Sequence, residues 1–429
     1  MKILLKNATL LPEYGFAGRR VSVLVRDRKI AGVTEQPLPT PADEVIDCGG
    51  DLLIPAFYNA HCHAAMTLFR GYGEDLPLQR WLEEKIFPAE ERLNFRNVYH
   101  ASMLAIAEML RAGIASFSDM YMFEDAVAEA VLASGIKANL SRSLVSFDPE
   151  GDIAKEPRMT EAVRLAEWYH GCDDGRILVD FSLHAEYTNV PRACAYVAEV
   201  ASRFRTGMQI HLSETEKEHR ECLARRGQTP TAFFRDTGVL DCPTCAAHGV
   251  WLTDEDIAIL AEKKASVAHN PVSNLKLGSG VMPLGRLLDA GVNVALGTDG
   301  AASNNRLDIL RELQAAALIH KGVNRDTSQA PARTLFGLAT RGGALAQRRP
   351  DCGRVEPGFR ADLVLLDRNA LHNIPCYDEY AMLAYSAEAA DVRMTMVDGR
   401  ILYRNGEYTS IDEERVRAEF RAALAHDFA

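Results

Sequence analysis

Residues 52–64, LLIPAFYNAHCHA, form an apolar run that ends in two histidines separated by one residue. Because side chains alternate along a strand, His61 and His63 are predicted to project to the same side. Seven later runs have a similar apolar or β-branched composition. They are IASFSDMY (114–121), IKANLSRSLV (136–145), ILVDFSLHAEY (177–187), GMQIHLSE (207–214), TCAAHGVWL (244–252), ASVAHNPVSN (265–274) and NVALGTDGAAS (293–303).

Longer amphipathic segments separate these runs, as crossover helices between parallel strands require. Examples are NVYHASMLAIAEMLRAG (97–113), TEAVRLAEWYHG (160–171), DEDIAILAEKKA (254–265) and RLDILRELQAAALIHK (306–321). Eight such units over roughly 250 residues predict an α/β chain folded as a closed (β/α)8 TIM barrel. A doubly wound open sheet is the alternative that pattern alone leaves open.

Short β-rich runs also occupy both ends of the chain. They include VSVLV (21–25), ADLVLLD (361–367) and DVRMTMVDGRILYRNGEY (391–408). Neither end is long enough to form a stable sheet alone, so the two are predicted to pair. We therefore expect a composite β-sandwich from residues 1–54 and 351–429, closed by a C-terminal helix, beside a barrel formed by residues 55–350.

Bulk composition narrows the class of protein. Of 429 residues, 47% are hydrophobic and 25% charged, which is ordinary for a globular chain. The net charge of −11 disfavours a nucleic-acid partner, and no apolar run is long enough to predict a membrane span. An odd count of nine cysteines indicates reduced thiols and a cytoplasmic location. The lone CxxC at Cys242 and Cys245 is interpreted as two ordinary thiols.

Polar residues recur in the C-terminal parts of these runs, which share one rim in a barrel. Burying several imidazoles and a carboxylate at that rim costs free energy unless they are paired or bind a metal. Their convergence therefore predicts a site. The residues are His61, His63, His184, His211, His248, His269 and Asp299.

A metal site follows from four of these residues. His61, His63 and His211 supply nitrogen ligands and Asp299 supplies a carboxylate oxygen, a set typical of catalytic zinc or a related ion. A lysine-bridged pair of ions would need a lysine ending a middle strand, and neither 136–145 nor 177–187 ends in one. We predict one divalent ion per subunit, with zinc expected and iron, nickel and manganese as alternatives.

Glu214 lies three residues beyond His211, where the chain leaves its strand. A carboxylate beside activated water can accept and return a proton, so Glu214 is a candidate general acid and base. The alternative is an ordinary acidic residue opening the following helix. His248 is a candidate to orient the attacking water, or to support the metal ligands from behind.

These residues resemble the amidohydrolase superfamily, and within it the branch of S-adenosylhomocysteine, 5'-methylthioadenosine and 5'-deoxyadenosine deaminases. The resemblance covers nearly the whole chain. The stretches that carry it are NAHCHAAMTLFRGYGEDLPLQRWLEEKIFPAEERL (59–93), HLSETEKE (211–218), AAHGVWLT (246–253), AHNPVSNLKLGSG (268–280), GTDGAASNNRLD (297–308) and PGFRADLVLLD (357–367).

The resemblance implies a hydrolase of C–N bonds in cyclic amidines that deaminates an adenine nucleoside. It implies metal ligation by His61, His63, His211 and Asp299. It also implies that hydroxide attacks C6 of adenine, with proton transfer by Asp299 and Glu214. Glu214 would protonate the ring nitrogen and His248 would steady the hydroxide while ammonia leaves.

The same resemblance implies contacts to the rest of the substrate. Glu90 and His184 match ribose and nucleoside contacts, and a carboxylate can accept two hydrogen bonds from a vicinal diol. Arg142 matches an arginine near the 5'-substituent, and Arg158 is a second candidate for clamping a carboxylate there. Glu186 departs from the pattern, because an acid close to the pocket is expected to disfavour an anionic substituent.

Three alternatives remain open on sequence alone. One is a deaminase or chlorohydrolase acting on guanine, a pterin or a triazine. Another is a metal-free, non-catalytic scaffold. The third, a hydrolase of cyclic amides, would need the bridging lysine that is missing. The oligomeric state is also open, with a homo-oligomer among the possibilities.

Overall fold

The computed structural model describes residues 1–15, 19–35 and 41–428. Residues 16–18, 36–40 and 429, which belong to the predicted terminal segments, lie outside the described residues.

The strands, numbered along the chain, are β1 Lys2–Thr9, β2 Arg20–Arg26, β3 Lys29–Thr34, β4 Glu44–Asp47, β5 Leu52–Pro55, β6 Phe57–His63, β7 Ile114–Tyr121, β8 Lys137–Leu144, β9 Ile177–Val179, β10 Phe181–Leu183, β11 Met208–Leu212, β12 Thr244–His248, β13 Ser266–His269, β14 Asn293–Leu296, β15 Asp299–Gly300, β16 Leu363–Leu366, β17 Val392–Val397, β18 Arg400–Arg404 and β19 Glu407–Tyr408.

The α-helices are α1 Leu78–Trp81, α2 Phe87–Glu90, α3 Phe95–Arg111, α4 Glu124–Ser134, α5 Pro157–Tyr169, α6 Cys172–Gly175, α7 Pro191–Phe204, α8 Glu216–Arg226, α9 Pro230–Asp236, α10 Asp254–Glu262, α11 Pro271–Lys276, α12 Leu284–Asp289, α13 Ala301–Asn304, α14 Ile309–Asn324, α15 Ala332–Gly337, α16 Gly343–Ala346, α17 Glu379–Tyr385 and α18 Glu413–Phe428.

Strands β6 to β15 form the predicted (β/α)8 barrel. They pair in parallel in the order β14, β13, β12, β11, β10, β8, β7, β6 and β15, with β9 beside β8. The barrel closes because β15 follows β14 after two residues and pairs with β6. This pairing places Asp299 opposite Cys62 and Gly300 opposite His63. The closed barrel, rather than an open doubly wound sheet, is confirmed.

Three predicted runs are interrupted in the structure. Residues 52–64 divide between two sheets, because β5 ends at Pro55 and Ala56 donates its amide to the Asp362 carbonyl before β6 begins. The run 177–187 breaks at Asp180, between β9 and β10. The run 293–303 breaks after Leu296 and ends as helix α13. A run of apolar residues therefore does not mark one uninterrupted strand.

The two ends of the chain share a second sheet. Among the described residues its nine strands run β19, β18, β17, β16, β5, β1, β2 and β3, with β4 beside β1. The ends join where β5 pairs antiparallel with β16, as at Leu53 opposite Leu365. Ile3, Val23 and Met396 pack in one apolar cluster of this sheet. The boundaries of the two predicted domains stay a prediction.

Local capping explains where several helices begin. The Asn94 side chain accepts the amide of Asn97 before α3, and Thr253 accepts that of Asp256 before α10. Such side chains satisfy amides that the first helical turn leaves without partners. Across the described ranges, the helices are too short or too polar to cross a lipid bilayer.

Candidate metal centre and substrate cavity

Three histidines meet at the carboxyl ends of β6 and β11. The ring centroid of His61 lies 4.8 Å from that of His63 and 4.9 Å from that of His211. One ring nitrogen from each residue lies within 4.8 Å of the other two. Because the strands are parallel, their carboxyl ends share one rim, and the three nitrogens can face a common point.

Asp299 adds a carboxylate to the same cluster. Its Oδ1 lies 3.2 Å from Nε2 of His63 and 3.5 Å from Nε2 of His61. Burial alone would raise the pKa of this carboxyl, but the two histidines lower it well below its ordinary value. The backbone of Asp299 is left-handed, with φ of +60°, a conformation that is costly for a non-glycine residue.

Backbone carbonyls determine which nitrogen of each ring is free. Nδ1 of His63 lies 2.8 Å from the Met120 carbonyl, and Nδ1 of His211 lies 2.8 Å from the His184 carbonyl. A carbonyl oxygen only accepts, so both Nδ1 atoms donate and therefore carry the protons. Nε2 is therefore the nitrogen that each ring directs to the cluster, and the one through which it would bind a metal ion.

The cluster fits a divalent cation. Within the described part of the chain, Nε2 of His61 is buried without a hydrogen-bond partner, an arrangement that is rare unless a ligand completes it. Burial lowers the pKa of His61 to about 4, so this ring is neutral at pH 7. His248 belongs to a second close group with His61 and Asp299, within the same 4.8 Å limit. His248 thus borders the candidate ligands.

Hydroxyl groups hold the Asp299 carboxylate in place. Its Oδ2 accepts hydrogen bonds from Ser273 at 2.6 Å and from Ser303 at 2.8 Å. Its Oδ1 accepts the Gly300 amide at 2.8 Å. Both serines are buried. The orientation of Asp299 therefore depends on α11 and α13, which follow β13 and β15.

Glu214 faces His248 at the edge of the cluster. Its Oε2 lies 3.8 Å from Nε2 of His248, and its Oε1 accepts the Ser279 hydroxyl at 3.2 Å. Burial raises the pKa of Glu214 above its ordinary value. The Glu218 carboxylate accepts the Ser213 and Glu214 amides, which fixes the turn that carries Glu214.

A similar support holds His248. Its Nδ1 lies 2.9 Å from Oδ1 of Asn274, which only accepts, so Nδ1 carries the proton and Nε2 faces Glu214. The residue ends β12 in a left-handed conformation with φ of +76°. Its ring lies 5.4 Å from the rings of both His61 and His211.

A cavity of about 490 Å³ opens beside the cluster. It contains His63, His211, Glu214, His248 and Asp299 at one end. Its walls are largely apolar, as is typical of a site for a small organic ligand. The apolar lining includes Met66, Leu78, Trp81, Leu82, Phe87, Met122, Val145, Phe147 and Leu277.

Two of the predicted nucleoside contacts line this cavity. Glu90 accepts the Tyr121 hydroxyl at 2.6 Å, and burial raises the pKa of its carboxyl. The His184 ring lies 5.1 Å from that of His211, and its Nδ1 lies 3.2 Å from the Thr188 hydroxyl. Burial lowers the pKa of His184 to about 4, which keeps the ring neutral.

Both predicted arginines also line the cavity. Arg142 projects from β8, and its Nε lies 2.5 Å from Oε2 of Glu161. Arg158 lies in the first turn of α5, and burial followed by the positive charge of Arg142 lowers its pKa. The cavity therefore has two guanidinium groups in its wall, and a carboxylate pairs with one of them.

Glu186 does not occupy the place that the sequence suggested. It is fully buried and forms ion pairs with Arg225 and Arg226 of α8. It is not among the residues that line the cavity. These two arginines compensate its charge, so the expected repulsion of an anionic ligand has no structural basis.

His269 also departs from the prediction. Although it ends β13, its Nε2 lies 3.0 Å from Nε2 of His320 in α14. It is absent from the cavity lining described above. The ring packs between the barrel wall and a helix, where burial lowers its pKa well below the ordinary value. Position at a strand end did not suffice to place this histidine in the site.

Several supporting residues were missed from sequence. Tyr121 holds Glu90, Ser273 and Ser303 hold Asp299, Asn274 holds His248, and Ser279 holds Glu214. Most of them lie within runs that were singled out, as Ser273 and Asn274 do in ASVAHNPVSN. Serine and asparagine after a strand are common in turns, however, so no sequence signal marked them as part of the site.

The two cysteines of the CxxC motif have separate hydrogen-bond partners. Cys242 and Cys245 are free and buried, and their sulfurs donate to the carbonyls of Ala198 and Ala60.

Comparison with known sequences identifies related proteins. The sequence profile described as the amidohydrolase family matches residues 52–402. The 5-methylthioadenosine/S-adenosylhomocysteine deaminase of Moorella thermoacetica is 43% identical, over 97% of this chain and 98% of that protein. The 5'-deoxyadenosine deaminase of Methanosarcina acetivorans is 41% identical, over 98% of this chain and 97% of that protein.

Comparison with solved structures gives a consistent result. An adenosine deaminase from Xanthomonas campestris, solved with bound zinc, superposes with a TM-score of 0.91 and 32% sequence identity. The superposition covers 99% of this chain and 98% of the other. The likeness thus extends over both the barrel and the sheet formed by the chain ends.

Proposed function

The chain belongs to the amidohydrolase family, and on that premise we propose that it hydrolyses the 6-amino group of 5'-substituted adenosines. The products are the inosine analogue and ammonia. The substrate is 5'-methylthioadenosine, 5'-deoxyadenosine, S-adenosylhomocysteine or adenosine. The enzyme is a hydrolase of C–N bonds in cyclic amidines, like the deaminases that it resembles over nearly their full length.

One observation carries the proposal. The cavity that contains His63, His211 and Asp299 at one end also contains Glu90 and Glu214. A cluster suited to a cation, a carboxylate placed to move a proton, and a carboxylate suited to a ribose diol therefore line one cavity. An adenine nucleoside needs these three functions together.

We propose zinc as the ion, held by His61, His63, His211 and Asp299. The Xanthomonas relative, solved with bound zinc, supports this choice, and so does the nitrogen and oxygen donor set. When bound, such an ion supplies a water nucleophile at neutral pH and stabilises negative charge. His63 and His211 present Nε2 because their Nδ1 protons are committed to carbonyls.

Side chains of the protein carry out the remaining steps of the reaction. Glu214 transfers a proton to the ring nitrogen next to the carbon under attack, since it lies at the cavity edge beside His248. His248 orients the attacking water, and Asp299 accepts its proton and passes it to the amino group, which leaves as ammonia. Glu90 and His184 hold the nucleoside so that the adenine ring faces the cluster, while Arg142 and Arg158 lie towards the 5'-substituent.

A panel of nucleosides tests the proposal. The zinc-loaded protein should convert 5'-methylthioadenosine, 5'-deoxyadenosine or S-adenosylhomocysteine to inosine analogues, followed by loss of adenine absorbance and by release of ammonia. Metal analysis should give close to one ion per chain. If guanine, a pterin or a triazine is turned over while every adenosine is inert, the substrate assignment is wrong. The assignment of the site to metal-dependent hydrolysis would still hold.

Two properties stay predictions from sequence. The cytoplasmic location rests on cysteine usage, and all nine cysteines are free in the structure. The absence of a nucleic-acid or membrane partner rests on charge and hydropathy.

A further inference from the structure

Arg142 separates two cavities. It lines the catalytic cavity on one side and, on the other, an outer groove of about 230 Å³. Glu161 lines the outer groove and, within the described chain, is not part of the catalytic cavity wall. Glu161 therefore reaches a bound substrate only through Arg142.

The ion pair between Arg142 and Glu161 is short, and its arginine is the more buried partner. Nε of Arg142 lies 2.5 Å from Oε2 of Glu161, and the Arg142 side chain is only 11% exposed. Glu161, at 43% exposure, projects from α5. A charge-assisted hydrogen bond at this distance both orients the guanidinium and compensates its charge.

A second guanidinium group lies beside this pair. Arg158 lies one turn before Glu161 in α5 and also lines the catalytic cavity. Among the described residues, Glu161 is the carboxylate that pairs directly with one of the two guanidinium groups, whereas Glu90, Glu124 and Glu156 act on them through space. Removing the Glu161 charge would therefore make this end of the cavity more positive by one charge.

We propose that Glu161 is a positioning residue that sets the preference of the enzyme between neutral and anionic 5'-substituents. By compensating Arg142, its carboxylate lowers the positive potential that an anionic substituent experiences. The inference rests on the proposed function, because it concerns the substrate end farthest from the metal cluster. Under this proposal, the cavity wall discriminates between substrates by the charge of the 5'-substituent and not by its length alone.

Glu161→Gln tests this with two substrates. The amide oxygen of glutamine can still accept from Nε of Arg142, while the negative charge is lost. The substrates are 5'-methylthioadenosine, which is neutral, and 5'-(3-carboxypropylthio)-5'-deoxyadenosine, which carries a carboxylate without an ammonium group. For the anionic substrate we expect KM to fall about threefold to tenfold. We expect kcat, and both constants for the neutral substrate, to change by less than about twofold.

Matched variants isolate the role of the pair. Glu167→Gln, at an exposed position of the same helix, should leave the ratio of the two kcat/KM values unchanged. Glu161→Asp, which keeps the charge, should stay near the wild-type ratio. In an Arg142→Gln background, Glu161→Gln should no longer improve the anionic substrate, because the charge that it releases is absent.

The outcomes separate this inference from the proposed function. If the wild-type protein deaminates none of the 5'-substituted adenosines, the proposed function fails. If it is active, and Glu161→Gln leaves the ratio unchanged or shifts both substrates equally, the inference about Glu161 is overturned. A gain that persists in the Arg142→Gln background also overturns it. Should Glu161→Gln fail to fold, a changed ratio in Glu161→Asp would equally contradict a role based on charge.

Discussion

Ser273 donates its hydroxyl to Oδ2 of Asp299 across 2.6 Å, joining the start of α11 to the carboxylate at the barrel rim. Ser273 is completely buried, so water cannot replace this bond without rearrangement. The carboxylate has its other oxygen towards His61 and His63. The position of one proposed metal ligand thus depends on a hydroxyl from a neighbouring βα unit.

Ser273→Ala should weaken the metal site. Loss of a group that orients a ligand costs about tenfold to a hundredfold in metal affinity or activity. Zinc content after dialysis against buffered free zinc, together with kcat, measures the effect. Ser328→Ala, on an exposed turn, is the matched control. Full zinc occupancy and unchanged turnover in Ser273→Ala would remove this serine from the site.

Glu214→Gln should keep the metal and lose most turnover. The amide can occupy the same space beside Ser279 and His248, but it cannot accept and return a proton. We expect kcat to fall about 10²-fold to 10⁴-fold. Zinc content and thermal stability should match the wild type, as should all properties of the exposed control Glu221→Gln. A kcat near the wild-type value would assign the proton transfer to another residue.

Glu90→Gln should raise KM for nucleosides. The Tyr121 hydroxyl occupies Oε1 of Glu90, and a neutral amide accepts hydrogen bonds more weakly than a carboxylate. A loss of about tenfold in kcat/KM is expected for 5'-deoxyadenosine. The loss should be smaller for its 2'-deoxy analogue, which lacks one donor. Glu83→Gln, exposed on the same segment, is the control. Equal losses for both substrates would contradict a contact to the ribose.

Lys137→Met should destabilise the fold without touching the site. The Lys137 ammonium, buried at the start of β8, lies 2.6 Å from Asp362 and 2.7 Å from Asp398 in the terminal sheet. Removing it leaves the buried Asp362 carboxylate without an ion-pair partner among the described residues, which costs about 3–5 kcal/mol, whereas Asp398 keeps three arginine partners. Urea unfolding measures the loss. Lys155→Met, at an exposed ion pair, should change stability by less than about 0.5 kcal/mol. An equal effect in both variants would show that the buried pair contributes no more than a surface one.

Lowering the pH should reduce the difference in stability between the wild type and Lys137→Met. Burial alone would raise the pKa of Asp362, but Lys137 outweighs it, and the folded pKa lies below its ordinary value of 3.8. Its contribution to stability is therefore present above pH 3.8 and is lost as the pH falls through the lower folded pKa. Unfolding midpoints measured from pH 6 to pH 2 should converge for the wild type and Lys137→Met. A constant gap across this range would contradict the assignment.

The candidate metal ligands could be predicted from sequence because each lies in a distinctive local pattern. The alternation of a strand places His61 and His63 on one side, and His211 and Asp299 end later apolar runs. His269 fits the same pattern and yet faces His320. A strand end thus identifies a candidate, but the twist of each strand and the helix behind it decide where the side chain points.

The sequence by itself determined the order of strands and helices, the pairing of the two chain ends, and the residues able to bind a cation. Only the tertiary structure decided that Ser273 holds Asp299, that Arg142 pairs with Glu161, and that Glu186 is neutralised by Arg225 and Arg226. The physical reason is that local patterns fix which face of a strand or helix is apolar. Hydrogen bonds and ion pairs between distant residues depend instead on how the βα units pack around the barrel.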